Sequence, residues 1–352
     1  MKSKIKILIF IVFIGCLTAV GQKKEKQFNI RTIAFYNVEN LFDTINDPNK
    51  NDEASPMMEL KGNRTKVYWD KMDNMAMVIS KIGLKKTNTS PAIIGLSEVE
   101  NRAVLEDLIA TDHLKDKHYG IIHYDSPDRR GIDVALLYQK RYFKPIDEKN
   151  YELRMWDEKG RRVYTRDQLL VSGILDGELI HIIVNHWPSR SGGEKKSRPK
   201  REKAAWLTGQ IIEDIKKDDS NAKIIIMGDL NDDPNNSSIK KVLKAKGKKK
   251  EIATGDIFNP MEDMFRRGLN TLGYRDNINL FDQILISSSL LTTKGEYDTY
   301  KMFKTNIFNP QFLTTKSGRY KGYPFRSYSY GSYTGGYSDH FPVYMYLIKE
   351  KN

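Results

Sequence analysis

The chain has 352 residues, a formal net charge of +13 and a single cysteine. This length can bury one large core or two smaller ones, and the sequence has no repeat or long Pro/Gly tract, which argues against a disordered or fibrous protein. One cysteine excludes a disulfide framework, a thiolate zinc site and an iron–sulfur cluster. Any metal must therefore be held by oxygen and imidazole ligands.

The N-terminal segment is predicted to be a secretory signal peptide, residues 1–21. Lysines precede an apolar run at residues 7–20, and small residues at 19–21 provide a cleavage site. The run is too short for a stable membrane span, so export to the periplasm or the extracellular space is predicted. The alternative is a lipid anchor attached to Cys16. Two bulky residues shortly before this cysteine disfavour it.

The mature chain, residues 22–352, is predicted to form one domain. Loss of the three lysines in the signal peptide lowers its formal charge to +10. A basic surface attracts polyanions such as nucleic acid or acidic lipid headgroups, although lysine-rich exported proteins are also basic for solubility alone. The charge therefore supports a phosphate-containing substrate without establishing one.

Short apolar runs rich in β-branched residues predict the strands. In chain order they are residues 30–36, 92–96, 132–138, 169–174, 179–184, 223–227, 281–286 and 341–347. Apolar stripes at helical spacing predict two amphipathic helices, residues 67–82 and 201–215. Strands that alternate with helices, together with consecutive strands at 169–184, predict a mixed sheet or a pair of sheets.

Four stretches are predicted to be loops: residues 43–63, 188–199, 240–250 and 308–337. The last contains six tyrosines interleaved with glycines and with Lys321 and Arg326. Such a segment can stack on bases and contact phosphates. A glycine-rich loop held by tyrosine packing explains it equally well, and both interpretations stay open.

Polar side chains lie at the ends of six predicted strands. A single Asp or Asn after a strand is usually a turn residue, but a set spread over six strands is hard to explain as turns. If the later strands run antiparallel to the earlier ones, all these polar side chains lie at the same edge of the sheets. It combines hard oxygen ligands with two imidazoles suited to proton transfer. The set is Asn37, Glu39, Glu98, His186, Asp229, Asn231, Asp282, Asp339 and His340.

These residues stand in short motifs whose order resembles the endonuclease/exonuclease/phosphatase superfamily. The resemblance runs from about residue 30 to residue 347 and implies an α/β fold, a four-layer α/β/β/α sandwich with two mixed sheets in a single domain. The motifs are Tyr36-Asn37-Val38-Glu39, Ser97-Glu98-Val99, Asn185-His186, Gly228-Asp229-Leu230-Asn231, Phe281-Asp282-Gln283-Ile284-Leu285 and Ser338-Asp339-His340.

The resemblance implies a Mg²⁺ site, with Mn²⁺ as an alternative cation. Glu98 would be the principal ligand, with Asn37 and Glu39 beside it and Asp339 completing the set. An arginine of the segment 129–133, for which we favour Arg130, would contact the substrate phosphate.

The resemblance also implies roles for the remaining members of the set. Asp229 and Asn231 would position the attacking water and hold phosphoryl oxygens. His340 would contact the scissile phosphate and be oriented by Asp282. His186 matches an additional histidine of deoxyribonuclease-like members, where it takes part in proton transfer.

The sequence thus predicts an exported, metal-dependent phosphodiesterase, with a nuclease acting on DNA or RNA as the leading hypothesis. A phospholipid headgroup hydrolase or a sugar-phosphate phosphatase on the same fold is the alternative. A binding protein that had lost catalysis would lack some of the acids or histidines, and here none is missing. A monomer without a protein partner is expected.

Overall fold

Two six-stranded sheets form the centre of the structure, a computed structural model that describes residues 26–274, 277–292 and 295–351. The predicted signal peptide lies outside these residues. In sheet order, the first sheet contains β15 (Lys301–Ile307), β18 (Val343–Glu350), β1 (Phe28–Leu41), β2 (Ile93–Val99), β4 (Asp133–Gln139) and β3 (Tyr119–His123). The second contains β11 (Ile257–Phe258), β14 (Asp282–Ser287), β10 (Ile224–Asp229), β9 (Glu178–His186), β8 (Gln168–Leu175) and β5 (Phe143–Tyr151).

Helices and short ribbons complete the described chain. The ribbons pair β6 (Met155–Trp156) with β7 (Arg162–Val163), β12 (Leu272–Tyr274) with β13 (Asn277–Asn279), and β16 (Tyr328–Ser329) with β17 (Ser332–Tyr333). The α-helices are α1 (Pro56–Glu59), α2 (Arg64–Lys81), α3 (Leu84–Thr87), α4 (Arg102–Ala110), α5 (Glu194–Asp218) and α6 (Met261–Arg266). No helix in the described ranges is long and apolar enough to cross a membrane.

Each sheet has one parallel pair of strands at its centre, β1 with β2 and β9 with β10. The outer partners β18 and β14 run antiparallel to these pairs. The carboxyl ends of the parallel strands therefore share an edge with the amino ends of β14 and β18. This topology places polar residues from both kinds of strand end at one rim.

Alternating side chains divide the interior into three cores. On β1, Ile33 and Phe35 face the second sheet, while Ala34 and Tyr36 face helices α2 and α4. A third core lies between the second sheet and α5. The layers are therefore helix, sheet, sheet and helix in one domain, which confirms the predicted α/β sandwich.

The predicted strands and both long helices are present, and the differences lie at edges and ends. The four strands at the sheet edges, β3, β5, β11 and β15, were not predicted. Strands β5 and β15 have exposed polar faces and therefore lack a continuous apolar run. Helix α5 begins at Glu194, so Pro199 lies inside a helix rather than at the end of a loop. Side chains hold this first part of the helix, since Ser197 and Arg201 both donate hydrogen bonds to the Glu194 carbonyl.

Candidate active site

Three polar residues lie side by side across neighbouring strands of the second sheet. His186 pairs with Asp229 in the β9–β10 ladder, and Asp229 pairs with Asp282 in the β10–β14 ladder. Gly228 permits this close approach of strands, because a Cβ there would lie 2.3 Å from the backbone oxygen of Asn185. The sheet register thus fixes the spacing of a histidine and two carboxylates.

The Asp229 carboxylate of the second sheet contacts a residue of the first sheet. Its Oδ2 accepts a hydrogen bond from Asn37 Nδ2 at 3.2 Å, and Asn37 belongs to β1 of the first sheet. The same oxygen lies 3.6 Å from His186 Nε2 and 4.0 Å from His340 Nε2. Both histidines therefore face one buried carboxylate oxygen.

A backbone irregularity directs Glu98 toward this group. Glu98 has a φ of 63°, and the β1–β2 and β2–β4 ladders both shift register beside it. A left-handed backbone is uncommon for a residue other than glycine, and such strain and bulges often occur at functional sites. The carboxylate accepts hydrogen bonds from Asn37 Nδ2 at 3.1 Å and from the Asn40 N–H at 3.0 Å.

His340 is held in a defined orientation by groups from both sheets. Its ring Nδ1 lies 2.7 Å from Asp282 Oδ2, and its backbone N–H donates to Ser338 Oγ. The Ser338 hydroxyl in turn donates to the backbone carbonyl of Asn37. The Nε2 atom is thereby left to face Asp229 and Asp339, at 4.0 and 3.9 Å.

Glu39 lies beneath the tyrosine-rich segment. Its side chain is almost fully buried and accepts hydrogen bonds from the Arg326 guanidinium and from the Ser327 N–H. Arg326 also reaches Asp339, with 3.3 Å between Nη2 and Oδ2. Both oxygens of Glu39 are thus bonded by the protein, and Arg326 bridges two of the predicted metal ligands.

Asn231 and Arg130 lie at the periphery of this cluster of acids and histidines. The Asn231 N–H donates to Asp229 Oδ1, while its side-chain amide donates to the Trp187 carbonyl. Arg130 is half exposed, with its Nε 3.5 Å from Asp128 Oδ1. Its positive charge nevertheless contributes to the pKa of His186, which places it on the same side of the molecule as the cluster.

The two histidines have opposite charge preferences. Complete burial lowers the pKa of His186 well below its usual value, and the charges of Arg166 and Arg130 lower it further. Burial acts in the same direction on His340, but Asp282 outweighs it and raises the pKa of that imidazole well above its usual value. Burial thus favours the neutral form of His186, whereas Asp282 favours the imidazolium form of His340.

Buried carboxylates give the site a surplus of negative charge. Burial raises the pKa of Asp229 to about 7, with Asp282 and Glu98 adding to the effect. Burial and the nearby Asp339 raise the pKa of Glu39 to about 8. A hard divalent cation would relieve this repulsion, and carboxylate and amide oxygens are its preferred ligands. The residues present therefore fit such a cation.

Sequence reasoning missed three cations around the site. Arg326 was noticed only as part of the tyrosine-rich segment. Lys71 is fully buried and donates to the Val38 carbonyl and to Ser327 Oγ, at 2.9 and 2.6 Å. A lysine next to the apolar stripe of a helix was a usable signal for it. Arg166, which donates to the Trp187 carbonyl, had no such signal.

A further group of metal-ligating residues lies on β3 and β4. His123, Asp125 and Asp133 offer donor atoms that all lie within 4.8 Å of one another. Asp133 Oδ2 is 3.3 Å from His123 Nε2, whereas Asp125 Oδ1 is 4.0 Å from Nδ1. The acids thus approach different ring nitrogens, which is equally consistent with a histidine held between two carboxylates.

A family model described as the Endonuclease/Exonuclease/phosphatase family matches residues 32–349. No curated protein sequence matches the chain.

Solved structures share the fold at low sequence identity. TDP2 of D. rerio, solved with a single-strand DNA product, has a TM-score of 0.52 and 13% identity, with 90% of this chain and 98% of that chain covered. A family protein of Bacteroides thetaiotaomicron has a TM-score of 0.52 and 15% identity, with 92% and 96% covered. The catalytic domain of human Nocturnin, solved with bound sulfate, has a TM-score of 0.52 and 13% identity, with 93% and 97% covered.

Proposed function

The chain belongs to the endonuclease/exonuclease/phosphatase family, and from this premise we propose that it is an exported, magnesium-dependent phosphodiesterase that cleaves nucleic acid. Members of the family hydrolyse phosphoesters and generally depend on divalent metal ions. The metal and the substrate rest on the contacts and charges described above, and the location rests on the predicted signal peptide, residues 1–21.

The observation that carries the proposal is the pair of histidines on one carboxylate. Asp229 Oδ2 lies within 4.0 Å of both imidazoles, and their pKa values are displaced in opposite directions. A neutral His186 can accept a proton, while the His340 imidazolium can donate one or stabilise phosphoryl charge. Two titratable groups with separated pKa values are the requirement for acid–base chemistry at neutral pH.

We assign the cation to Glu98, with Asn37, Glu39 and Asp339 around it. When bound, Mg²⁺ would neutralise charge on the phosphoryl oxygens, and Mn²⁺ suits the same ligands. Asn37 would present its Oδ1 to the cation, whereas its amide nitrogen now faces Glu98 and Asp229. In the described chain Glu98 accepts two neutral hydrogen bonds, whereas Glu39 and Asp339 both contact the Arg326 guanidinium.

The chain's own residues would perform the remaining steps. Asp229, with its Oδ1 fixed by the Asn231 N–H, would orient the attacking water through Oδ2. His340, held by Asp282, would contact the scissile phosphate. Arg130 is half exposed and ion-paired with Asp128, and it would exchange this contact for a charge-assisted hydrogen bond to a phosphate oxygen.

The net positive charge suits nucleic acid and an acidic lipid surface alike. One exposed side chain favours nucleic acid over a lipid. The side chain of Tyr330, at the tip of the β16–β17 ribbon that follows Arg326, is 94% exposed and followed by glycine, as suits an aromatic that stacks on a base. The remaining tyrosines of this segment pack on one another or on neighbours, as Tyr328 does on Tyr333.

The substrate is tested with purified residues 22–352 on DNA, RNA, sphingomyelin and a sugar phosphate, each with Mg²⁺ and with a chelator. We expect acid-soluble nucleotides in Mg²⁺ only, and a loss of roughly 100-fold or more in Glu98→Gln because the cation site is weakened. Glu106→Gln, an exposed glutamate of α4, is the matched control. Release of phosphocholine or free phosphate while DNA and RNA stay intact would refute the nuclease.

Export is tested by expressing the full chain and fractionating the cells. We expect the protein outside the cytoplasm, with a mass that corresponds to cleavage after Gly21. A cytoplasmic protein that keeps residues 1–21 would contradict the proposal, and lipid attached to Cys16 would favour the alternative anchor.

A further inference from the structure

An open groove of about 440 Å³ lies along one side of the sandwich, where the edge strands of the two sheets face each other. Strand β15 of the first sheet forms one wall, and β11, α6 and the chain before β11 form the other. The lysine-rich residues 240–250 contribute Lys248 and Lys249 to the second wall. The groove thus includes a basic segment that the proposed chemistry leaves unused.

The groove runs beside the strands that carry the proposed catalytic groups. β15 pairs with β18, which begins three residues after His340, and β11 pairs with β14, which begins at Asp282. The chain that follows α6 reaches the same rim, since the Thr271 carbonyl accepts the Phe341 N–H and its hydroxyl accepts the Asp282 N–H. A substrate that extends beyond the active site can therefore continue into the groove.

The rim of the groove carries a surplus of positive charge. Asp263 is the single carboxylate of the lining, and it is shared by two arginines, with Arg266 Nη2 at 3.6 Å and Arg267 Nε at 3.0 Å. Lys249 and Lys304 form no ion pair with any residue that the structure describes. Such a surplus attracts a polyanion. The five cations of the lining are Lys248, Lys249, Arg266, Arg267 and Lys304.

An exposed aromatic ring lies among these cations. The β15–β18 ladder shifts register between Met302 and Lys304, so Phe303 is an extra residue in the edge strand. Successive side chains of a strand normally point to opposite faces, and a bulge redirects one of them. Here Phe303, which is 48% exposed, and Lys304 both line the groove. Buried apolar side chains lie beneath them: Phe258, Met264 and Met302.

We propose that this groove binds a single-stranded segment of nucleic acid adjacent to the segment that is cleaved, an inference that rests on the proposed nuclease function. Lys249 and Lys304 would contact phosphates, and a base would stack on Phe303. Grooves that bind single strands combine cations along the backbone with aromatic rings that stack on bases. A duplex keeps its bases stacked on one another, so the ring favours a single strand.

Binding is tested by the fluorescence anisotropy of a labelled single-stranded oligonucleotide of about 12 nucleotides, with a chelator in place of Mg²⁺. The chelator stops metal-dependent cleavage and leaves the acidic catalytic cluster to repel phosphates, so the groove should dominate binding. We expect the double variant Lys249→Ala/Lys304→Ala to weaken binding by roughly 10-fold at low salt. The slope of log affinity against log salt should become shallower by about 1.4, because two phosphate contacts are lost.

The matched control is Lys85→Ala/Lys86→Ala, which removes two exposed lysines of α3, outside the groove. Its affinity and salt dependence should equal those of the wild type. Equal affinity and salt dependence of the wild type and the groove variant would overturn the proposal. Binding to vesicles of phosphatidylcholine and phosphatidylserine, with none to the oligonucleotide, would overturn it in favour of an acidic lipid surface.

The aromatic contact is tested by Phe303→Leu, which keeps an apolar side chain and removes the ring. We expect the affinity for the single strand to fall by about 5-fold or more. Trp69→Leu on α2, where the tryptophan is 49% exposed, should leave the affinity unchanged. Full affinity of Phe303→Leu would contradict stacking, and equal affinity of the wild type for a duplex of the same length would contradict the single strand.

Cleavage in Mg²⁺ distinguishes failure of the groove from failure of the nuclease. The groove variant should raise KM for a long single strand and leave the cleavage of a dinucleotide unchanged, because a dinucleotide has no further phosphate for the groove. Cleavage of both substrates with an unchanged KM would refute the groove alone. Chelator-resistant binding that depends on Lys249 and Lys304, without cleavage of either substrate, would support the groove and refute the nuclease.

Discussion

The charge of His340 depends on one neighbour, Asp282. Asp282 is fully buried, and its Oδ2 lies 2.7 Å from His340 Nδ1. Burial alone would lower the pKa of this imidazole, and the carboxylate reverses that effect. In such a pair the buried acid fixes the tautomer of the histidine and stabilises its imidazolium form.

Asp282→Asn should therefore lower the pKa of His340 and weaken its imidazolium form. Nuclease activity should fall by about 100-fold or more, the scale of acid–base catalysis, and the alkaline limb of the pH–rate profile should move to lower pH. The profile of kcat against pH is the measurement. Asp263→Asn on the exposed side of α6 serves as the control, and an unshifted alkaline limb would show that Asp282 does not set the charge of His340.

The raised pKa values of Asp229 and Glu39 predict a pH-dependent response to Mg²⁺. A carboxyl whose folded pKa is raised adds stability that is full below its unfolded pKa of about 4 and is lost as pH rises through the folded value. Here the folded values are about 7 and about 8. The metal-free protein should thus lose this stability as pH rises from about 4 to about 8, and at the upper end of this range Mg²⁺ would replace the lost protons.

The rise in Tm caused by Mg²⁺ should be greater at pH 8.5 than at pH 6.5, as thermal unfolding can show. In Glu98→Gln the rise should be small at both values, because the main ligand is missing. An equal rise in the wild type at both pH values would argue against cation binding at these carboxylates.

At the scale of elements, helix α2 and the tyrosine-rich segment are joined by one buried lysine. Lys71 bonds Val38 of β1 and Ser327, and its Nζ lies 5.3 Å from the centre of the Tyr328 ring. Burial lowers the pKa of Lys71 to about 8, while the charge of Glu39 opposes this shift. The segment that carries Arg326 is thus positioned through a charged contact inside the protein.

Lys71→Met should destabilise the protein by about 3 kcal/mol, because it leaves Glu39 with one cation fewer and two buried acceptors without a donor. Lys66→Met, on the exposed side of the same helix, should change stability by less than about 0.5 kcal/mol. Chemical denaturation measures both. Equal stability of the two variants would mean that the Lys71 contacts contribute nothing to the fold.

At the scale of the whole molecule, the site exists because two sheets pack closely. Gly95 of β2 lies where a Cβ would be 2.7 Å from Met227 Sδ and 3.1 Å from Val184 Cγ1 of the opposite sheet. Contacts from Asn37 to Asp229 and from His340 to Asp282 span the same interface. The spacing of the sheets therefore controls the distances between the proposed catalytic groups.

Gly95→Ala should force the sheets apart and cost about 1–3 kcal/mol, with a loss of activity that exceeds the loss of folded protein. At Gly209 in α5, no atom of the described residues outside the local helix backbone lies within 4 Å of an added Cβ. Gly209→Ala should instead raise stability by about 0.5–1 kcal/mol. Denaturation curves and activity per folded molecule distinguish the two. A Gly95→Ala variant as stable and active as the wild type would show that the interface tolerates the methyl group.

The sequence by itself determined the main strands, the two long helices and, through its short motifs, the family, whose fold implied the four layers. Alternation in β1 and the stripe of Met72 and Met75 on α2 encode which face is buried, because burial of apolar surface follows local periodicity. The short motifs around Glu98 and Asp229 were also readable, since strand ends are local features. Polar edge strands such as β5 could not be predicted from the sequence, because their exposed residues leave no continuous apolar run.

Only the tertiary structure decided which side chains meet. Arg326 contacts Glu39 from a position 287 residues away, and Asn37 reaches Asp229 across 192 residues. Such pairs depend on strand register and on the packing of one sheet against the other, and local periodicity carries no information about either. The same holds for the opposite pKa shifts of the two histidines, since burial and neighbouring charges arise only when the sheets come together.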